Sequence, residues 1–213
     1  MITIRKAQPD DAPAVLAIAI SRSRTTRVQA GLSERELARE GFLFYPLTRD
    51  QYLERIKGSD HFWVAERSGS VVGYCMAYTF TEFGSFLSLT ENDQTLLAYF
   101  RSWGWEPDCI YFAQAATILS HEARGAMAGL AVRLPQHAAE NGAPAIVCEI
   151  SLIPRNVASL AAASRTGLRM VATRTKTDPT DGKDRVSGTF IRTLQRVQDT
   201  TKPGGVRLVE CLP

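Results

Sequence analysis

The sequence predicts an α/β (α+β) protein with a central mixed, mostly antiparallel sheet and helices on both faces. Three observations carry this expectation. Phe62-Trp-Val-Ala-Glu66 and Val71-Val-Gly-Tyr-Cys-Met-Ala-Tyr78, joined by Arg67-Ser-Gly-Ser70, have the composition of an antiparallel hairpin. Cys109 to Ile118 and Ala145 to Ile150 are short runs of small and apolar residues, as strands covered on both faces require. Between the strands, apolar residues recur at helical spacing, so strands and helices share one layered core.

Taken along the chain, Ile2-Thr-Ile-Arg5 alternates as a first strand does, and Pro9-Asp-Asp11 offers capping carboxylates to a helix with Val15, Leu16, Ile18 and Ala19 on its apolar side. A polar stretch follows. Leu32 to Ala38 reads as a short helix, Gly41 to Tyr45 as an apolar patch, and Thr48 to Ile56 as an amphipathic helix with Gly58 beyond its end. After the hairpin, Thr79 to Asp108 carries Phe80, Phe83, Phe86, Trp103 and Trp105, with a helix over Glu91 to Arg101. Such an aromatic excursion serves as a lid or acceptor-pocket wall, as a satellite core over the sheet edge, or as a homodimer contact.

A helix from Gly125 to Asn141 comes next, kinked at Pro135 if it runs that far and stopped by Gly142. An Ala-rich helix spans Asn156 to Arg165 and ends at Gly167. Met170 to Arg174 and Ser187 to Arg192 form a closing pair of strands, and Asp178 to Asp184 and the segment beyond Gln198 look flexible. The whole reads as one domain over 1–198, with the aromatic insertion at about 79–108 and a C-terminal tail over 199–213.

Composition narrows the function. The 213 residues are 45% hydrophobic and 22% charged, enough for one substantial core. The net charge of +3 comes without a Lys/Arg run, which argues against nucleic acid and anionic lipid as partners. With no apolar run near the ~18 residues that span a bilayer and a charged start, the expectation is a cytoplasmic protein with no membrane partner. Cys75, Cys109, Cys148 and Cys211 are scattered, and His61, His121 and His137 fall in different elements, so no metal site is expected.

The segment that carries chemistry is Glu122-Ala-Arg-Gly-Ala-Met-Ala-Gly129, a small-residue turn between a buried strand and a helix. A diphosphate can approach the N–H groups at such a helix start, where orphan donors and the helix dipole favour negative charge. Close packing explains an Ala/Gly-rich turn equally well. A nucleotide-binding P-loop is disfavoured, because no Lys-Ser/Thr pair follows.

In its order of elements the chain resembles the GNAT superfamily of acyl-CoA-dependent N-acetyltransferases. Arg124-Gly-Ala-Met-Ala-Gly129 matches that family's pyrophosphate loop except for Met127, which stands where a Gly belongs. Asn156 opening a helix and Gly167-Leu168 closing it match a second signature. The resemblance implies a splay between strands four and five and acetyl-CoA as co-substrate. It implies that Arg124, Gly125, Ala126, Met127, Ala128 and Gly129 hold the pyrophosphate. Ile118 and Leu119 then lend backbone groups to the pantetheine arm, Asn156 contacts that arm, and Arg165 lies near the nucleotide phosphate.

The implied activity is transfer of acetyl to a primary amine of a small molecule or peptide by direct attack. Ala163 stands where the family often has its acid Tyr, and Gln114-Ala-Ala116 where it often has a carboxylate. The substitute base is Glu149, in an otherwise apolar strand, unless it pairs with an Arg. Glu82 and Tyr78 at the end of the hairpin are further catalytic candidates, and His121 reads as a turn residue. The departures at Met127 and Ala163 leave a second class open, a catalytically degenerate acyl-CoA-binding or regulatory module.

Overall fold

A computed structural model of the protein describes residues 1–105, 107–177, 182–198 and 206–209. Its centre is a seven-stranded sheet in the order β1-β2-β3-β4-β5-β7-β6. The strands are β1 Thr3–Lys6, β2 Phe62–Arg67, β3 Ser70–Thr79, β4 Ile110–Thr117, β5 Ala145–Ile153, β6 Arg169–Thr177 and β7 Asp184–Thr193. β4 and β5 are parallel, and every other neighbouring pair is antiparallel. A small separate sheet pairs β8 Gln195–Gln198 with β9 Val206–Val209, so part of the expected tail is strand. The rest of that tail, 199–205 and 210–213, and residues 178–181 of the flexible-looking segment lie outside the described residues.

Both sheet faces are buried because the strands alternate two apolar sets. Phe62, Val64, Tyr74, Met76, Tyr78 and Tyr111 pack under α1 Ala12–Arg22, α4 Arg49–Gly58 and α6 Glu91–Ser102. Trp63, Ala65, Val72, Cys75, Ala77 and Ile110 face α7 Ala126–Glu140, whose Leu130, Leu134 and Ala138 form its buried stripe. α8 Val157–Arg165 covers Cys148, Ile150 and Phe190 with Ala163. The same alternation along β5 puts Glu149 on the face of Val147, beneath α4 and α6, and Cys148 and Ile150 on the face of α8. That placement decides which groups Glu149 can meet.

Several boundaries differ from the sequence expectation, each for a local reason. The polar stretch after α1 contains a further helix, α2 Arg24–Gln29, capped by Ser23 and held by a bridge from Ser23 to Leu43 instead of by an apolar stripe. The short helix is α3 Glu34–Glu40, and α4 includes Gly58 as its last residue. The aromatic segment holds α5 Phe80–Ser85 as well as α6. Capping boxes fix these starts, with Ser33 and Glu36 at α3, Thr48 and Gln51 at α4, Thr79 and Glu82 at α5, and Thr90 and Asp93 at α6. α7 continues through Pro135 to Glu140 and gives way to Gly142 at φ 80°.

The aromatic insertion belongs to the main core. Phe80, Phe83, Phe86, Leu96, Leu97 and Phe100 are all buried in the same cluster as α1 and α4. Phe100 lies 5.1 Å from the ring of Phe80 and 5.2 Å from that of Tyr111.

Candidate functional site

The parallel strands β4 and β5 are paired only at Ile110 with Ile146 and Tyr111 with Val147. Beyond that point β4 runs on to Thr117 and β5 to Ile153, and the two diverge. The divergence coincides with a bulge: opposite β3, Met76 pairs with Gln114 and Ala77 with Phe112, leaving Ala113 as the extra residue. A bulge bends its strand and strengthens the local twist, which turns β4 away from β5. The backbone edges inside the resulting V have no ladder partner there, a condition that invites a ligand's amides.

A cavity of about 710 Å³ fills the V and continues across the sheet end to the loop around Phe42. Ala113, Ala115, Cys148 and Ile150 of the two strands and Met127 and Leu130 of α7 line it. This is the splay that the resemblance implied between the fourth and fifth strands.

The turn into α7 begins with a 3-10 turn at His121–Ala123, capped by Ser120. Gly125 sits at φ 86°, ψ −13° and is the N-cap residue of α7. A left-handed backbone of this kind favours glycine, and nothing crowds the space a Cβ would fill. No side chain caps α7, and its first intrahelical bond is Gly129 N–H to Gly125 O at 3.0 Å. The N–H groups of Ala126, Met127 and Ala128 therefore point off the helix start as free donors. Arg124, exposed beside them, makes no ion pair among the described residues.

Other members of the implied cofactor set are placed differently. A Cβ on Gly129 would lie 2.9 Å from Cγ1 and Cδ1 of Ile4, so the absence of a side chain lets α7 pack on β1. Gly129→Val is accordingly expected to cost about 1–3 kcal/mol through overpacking, a midpoint fall of roughly 2–10 °C, without weakening acetyl-CoA binding. Thermal melts with and without acetyl-CoA check both halves.

Met127 sits in the first turn of α7 with its side chain lining the cavity. Ile118 donates its N–H to Val72 O at 3.0 Å, which leaves its carbonyl, while Leu119 is exposed. Asn156 is a buried cap: its Oδ1 accepts from Ser159 N at 3.2 Å and its Nδ2 donates to Phe42 O at 3.0 Å, tying α8 to the 41–45 loop. Arg165 is exposed in the last turn of α8 and does not line the cavity.

Glu149 pairs with an Arg, as one reading of it expects, through only one of its two oxygens. One carboxylate oxygen, Oε2, accepts from Arg174 Nη2 at 3.2 Å. The other, Oε1, is buried with no hydrogen-bond partner, in a side chain only 12% exposed that lines the cavity. Burial raises the Glu149 carboxyl above its ordinary value, against the lowering influence of Arg174 and Lys176. Its neighbours are built into the sheet and α6: Thr189 is its register partner on β7, Tyr99 OH lies 3.2 Å from Thr189 Oγ1, and Arg174 stacks 5.2 Å from the Tyr99 ring centroid.

The remaining candidates have structural partners. The Glu82 carboxylate accepts from Thr79 N at 2.7 Å, Ser59 Oγ at 3.1 Å and Asp60 N at 3.2 Å, so it is occupied in capping α5 and holding the β2 entry. Tyr78 is buried on the cavity wall among Phe83, Phe86 and Tyr111, and burial raises its phenol. Gln114, at the family's carboxylate position, accepts from Tyr52 OH at 2.9 Å and Tyr74 OH at 3.0 Å and donates to Tyr45 O at 3.1 Å. It ties α4, β3 and the 41–47 loop to β4. His121 is exposed.

Sequence reasoning did not single out Arg22, Arg174 or Arg185, which supply charge to this cavity or to its Glu149. Among the described residues no group of three His, Cys, Asp or Glu side chains is placed to hold a metal ion, and no helix is long and apolar enough to cross a membrane.

Sheet order, the bulged β4, the splay and the uncapped α7 together define the fold of the GNAT N-acetyltransferases. An N-acetyltransferase from Staphylococcus aureus Mu50 is similar over 91% of this chain and 98% of that one, at 19% identity and a TM-score of 0.60. The protein yncA from Salmonella typhimurium, solved with its cofactor acetyl-CoA, is similar over 91% of this chain and 94% of that one, at 16% identity and a TM-score of 0.60. A Drosophila melanogaster polyamine N-acetyltransferase, which forms N-acetylagmatine, is similar over 91% of this chain and all of that one, at 13% identity and a TM-score of 0.61. No family model matches the sequence, and no curated protein matches it.

Proposed function

We propose that this protein is an N-acetyltransferase that moves acetyl from acetyl-CoA to a primary amine by direct attack. The observation that carries this is the V between β4 and β5, which opens beside the uncapped start of α7 and is walled by a carboxylate with one free, buried oxygen.

The residues present fit the co-substrate. The N–H groups of Ala126, Met127 and Ala128, with the Arg124 guanidinium, suit a pyrophosphate. The unpaired edge of β4 from Ala113 to Ile118 suits the amides of a pantetheine arm, with Met127 packing along it. Acetyl-CoA supplies the thioester acyl group. The protein has to place a neutral amine against that carbonyl and remove one proton as the C–N bond forms and the C–S bond breaks. Glu149 Oε1 is the acceptor for that proton, and the sulfur takes up one proton in return. Ala163, buried at the position where the resemblance implies an acid Tyr, offers no proton, so the thiolate takes its proton from solvent.

The thiols support direct attack. Cys75 and Cys148 line the cavity, but burial pushes both up to about 12, so neither is a thiolate able to carry an acetyl group near neutral pH.

Acetyl-CoA at about a hundred times its Kd should stabilise the fold by about 2.7 kcal/mol, a midpoint rise of roughly 5–10 °C, since only the native state binds it. Absence of a rise at saturating acetyl-CoA overturns the proposal. The alternative of a binding or regulatory module is favoured by Ala163, and a midpoint rise without acceptor-dependent thiol release across a broad amine panel would establish it.

A further inference from the structure

We infer that the acceptor is an amine that also carries an anionic group, in the simplest case the carboxylate of an amino acid, and that Arg22 and Arg185 form the pole that reads it. The inference rests on the acetyltransferase reading and names the substrate class of that same cavity.

The argument begins with a local excess of positive charge. Arg22, in the last turn of α1, donates through Nη2 to the main-chain oxygens of Glu40 and Gly41, the latter at 3.3 Å, and has no carboxylate partner among the described residues. The nearest carboxylate, Glu40, is already matched: its Oε2 is paired with the buried Arg27, and its Oε1 lies 3.4 Å from Arg39. Arg27 spends another donor on Gly41 O at 2.7 Å. Two guanidiniums therefore divide the Glu40 carboxylate, and Arg22, left with carbonyls only, lines the cavity together with Glu40. Burial, and the charge of Arg27 after it, hold Arg22 below its ordinary value against the raising influence of Glu40.

Arg185 enters the same cavity from β7. It is buried, and its guanidinium lies 5.3 Å from the ring centroid of Phe44, on the loop that Arg22 holds through Gly41. A planar cation fixed over an aromatic face is pre-organised for a planar anion. Gly41 itself, at φ 76°, is pressed against α8, where a Cβ would come 3.1 Å from that of Ala158, so the loop carrying this pole is fixed.

The cavity thus has two poles. Glu149 Oε1, unpartnered, takes the amine, and Arg22 with Arg185 faces the rest of the acceptor. Phe44, Tyr45 and Phe112 also line the cavity and give it an apolar character suited to an aliphatic or aromatic side chain. The CoA pyrophosphate is a second source of anionic charge, and it is separated by experiment because its own cradle is at α7.

The test compares amino acids with their decarboxylated amines: phenylalanine with 2-phenylethylamine, leucine with isopentylamine, and lysine with cadaverine. Thiol release from acetyl-CoA is followed. In at least one pair, wild-type kcat/KM should favour the amino acid by about tenfold or more, because a partner lacking the anion leaves Arg22, which has only carbonyl acceptors, without a carboxylate. Arg22→Gln should remove that preference by raising KM for the amino acid while leaving the amine and the acetyl-CoA midpoint shift unchanged, and Arg22→Lys should restore part of it.

Equal or faster turnover of the amine in every pair overturns the inference, as does an Arg22→Gln loss that is the same for both members. Turnover of neither member of any pair, with acetyl-CoA still bound, also overturns it. A missing acetyl-CoA shift in the wild type overturns the acetyltransferase proposal instead. Should Arg22→Gln not fold, the wild-type ratios and Arg185→Gln decide.

Discussion

Glu149→Gln is expected to lower turnover about 10²- to 10⁴-fold while the acetyl-CoA midpoint shift stays at its wild-type size, the range general-base removal spans. Gln keeps the shape and an oxygen acceptor for Arg174, so what is lost is the ability of Oε1 to take a proton. The pH dependence sharpens the expectation. Burial raises the Glu149 carboxyl, so the working ionised form is lost as pH falls through a value above the ordinary 4.5 of a glutamate. In wild-type kcat/KM this appears as an acid limb, rising with pH. In Glu149→Gln the limb disappears, and residual turnover follows only the fraction of acceptor amine that is neutral. If Glu149 is merely the structural counter-ion of Arg174, the variant loses midpoint and keeps both its turnover and its acid limb. The two roles thus move different readouts.

Sheet, hairpin and main helices were legible because their signals are local. Phe62 to Tyr78 carries its turn within it, and α7 and α8 are bounded by Gly125, Gly142 and Gly167, all at positive φ. α2 escaped notice because Arg24-Thr-Thr-Arg-Val-Gln29 has no apolar stripe and depends on Ser23 and a bridge to Leu43. The capping role of Glu82 is written in the sequence as Thr79-Phe-Thr-Glu82, a capping box whose spacing is local.

The site was legible to the level of its turn and its carboxylate, and no further. The V depends on where pairing of β4 and β5 stops, a property of two strands separated by α7. The partner of Glu149 is Arg174, a strand away on β6 beyond an intervening β7. Arg22 stands at the end of α1, where a solvated cation is ordinary. Its half-buried setting comes from the return of residues 40–41 against α1, and nothing in the pattern around Arg22 announces that return.

Phe100→Ala is expected to cost about 3–5 kcal/mol, a fall in thermal midpoint of roughly 10 °C, the range for an aromatic removed from a packed core. Phe100 is fully buried, stacked 5.1 Å from Trp105 and set against Phe80 and Tyr111, so its deletion opens a cavity bounded by rings that cannot collapse into it. A lid that opens in each cycle would give a different result, with a small midpoint change and an acceptor KM raised several-fold, because elements that move have little stability to lose.

The position of Phe100 also links stability to the site. The preceding residue on α6, Tyr99, contacts Thr189 and the Arg174 guanidinium, and Arg174 holds Glu149. Measured well below its own midpoint, Phe100→Ala should therefore lose turnover more than acetyl-CoA binding. Trp103→Ala is the control: its side chain is 42% exposed and touches Tyr99 and Trp105 only at a 5.7 Å ring spacing, so truncation there should cost about 1 kcal/mol or less. A comparable loss in both variants would mean that α6 is held by its exposed end, which the burial of Phe100 contradicts.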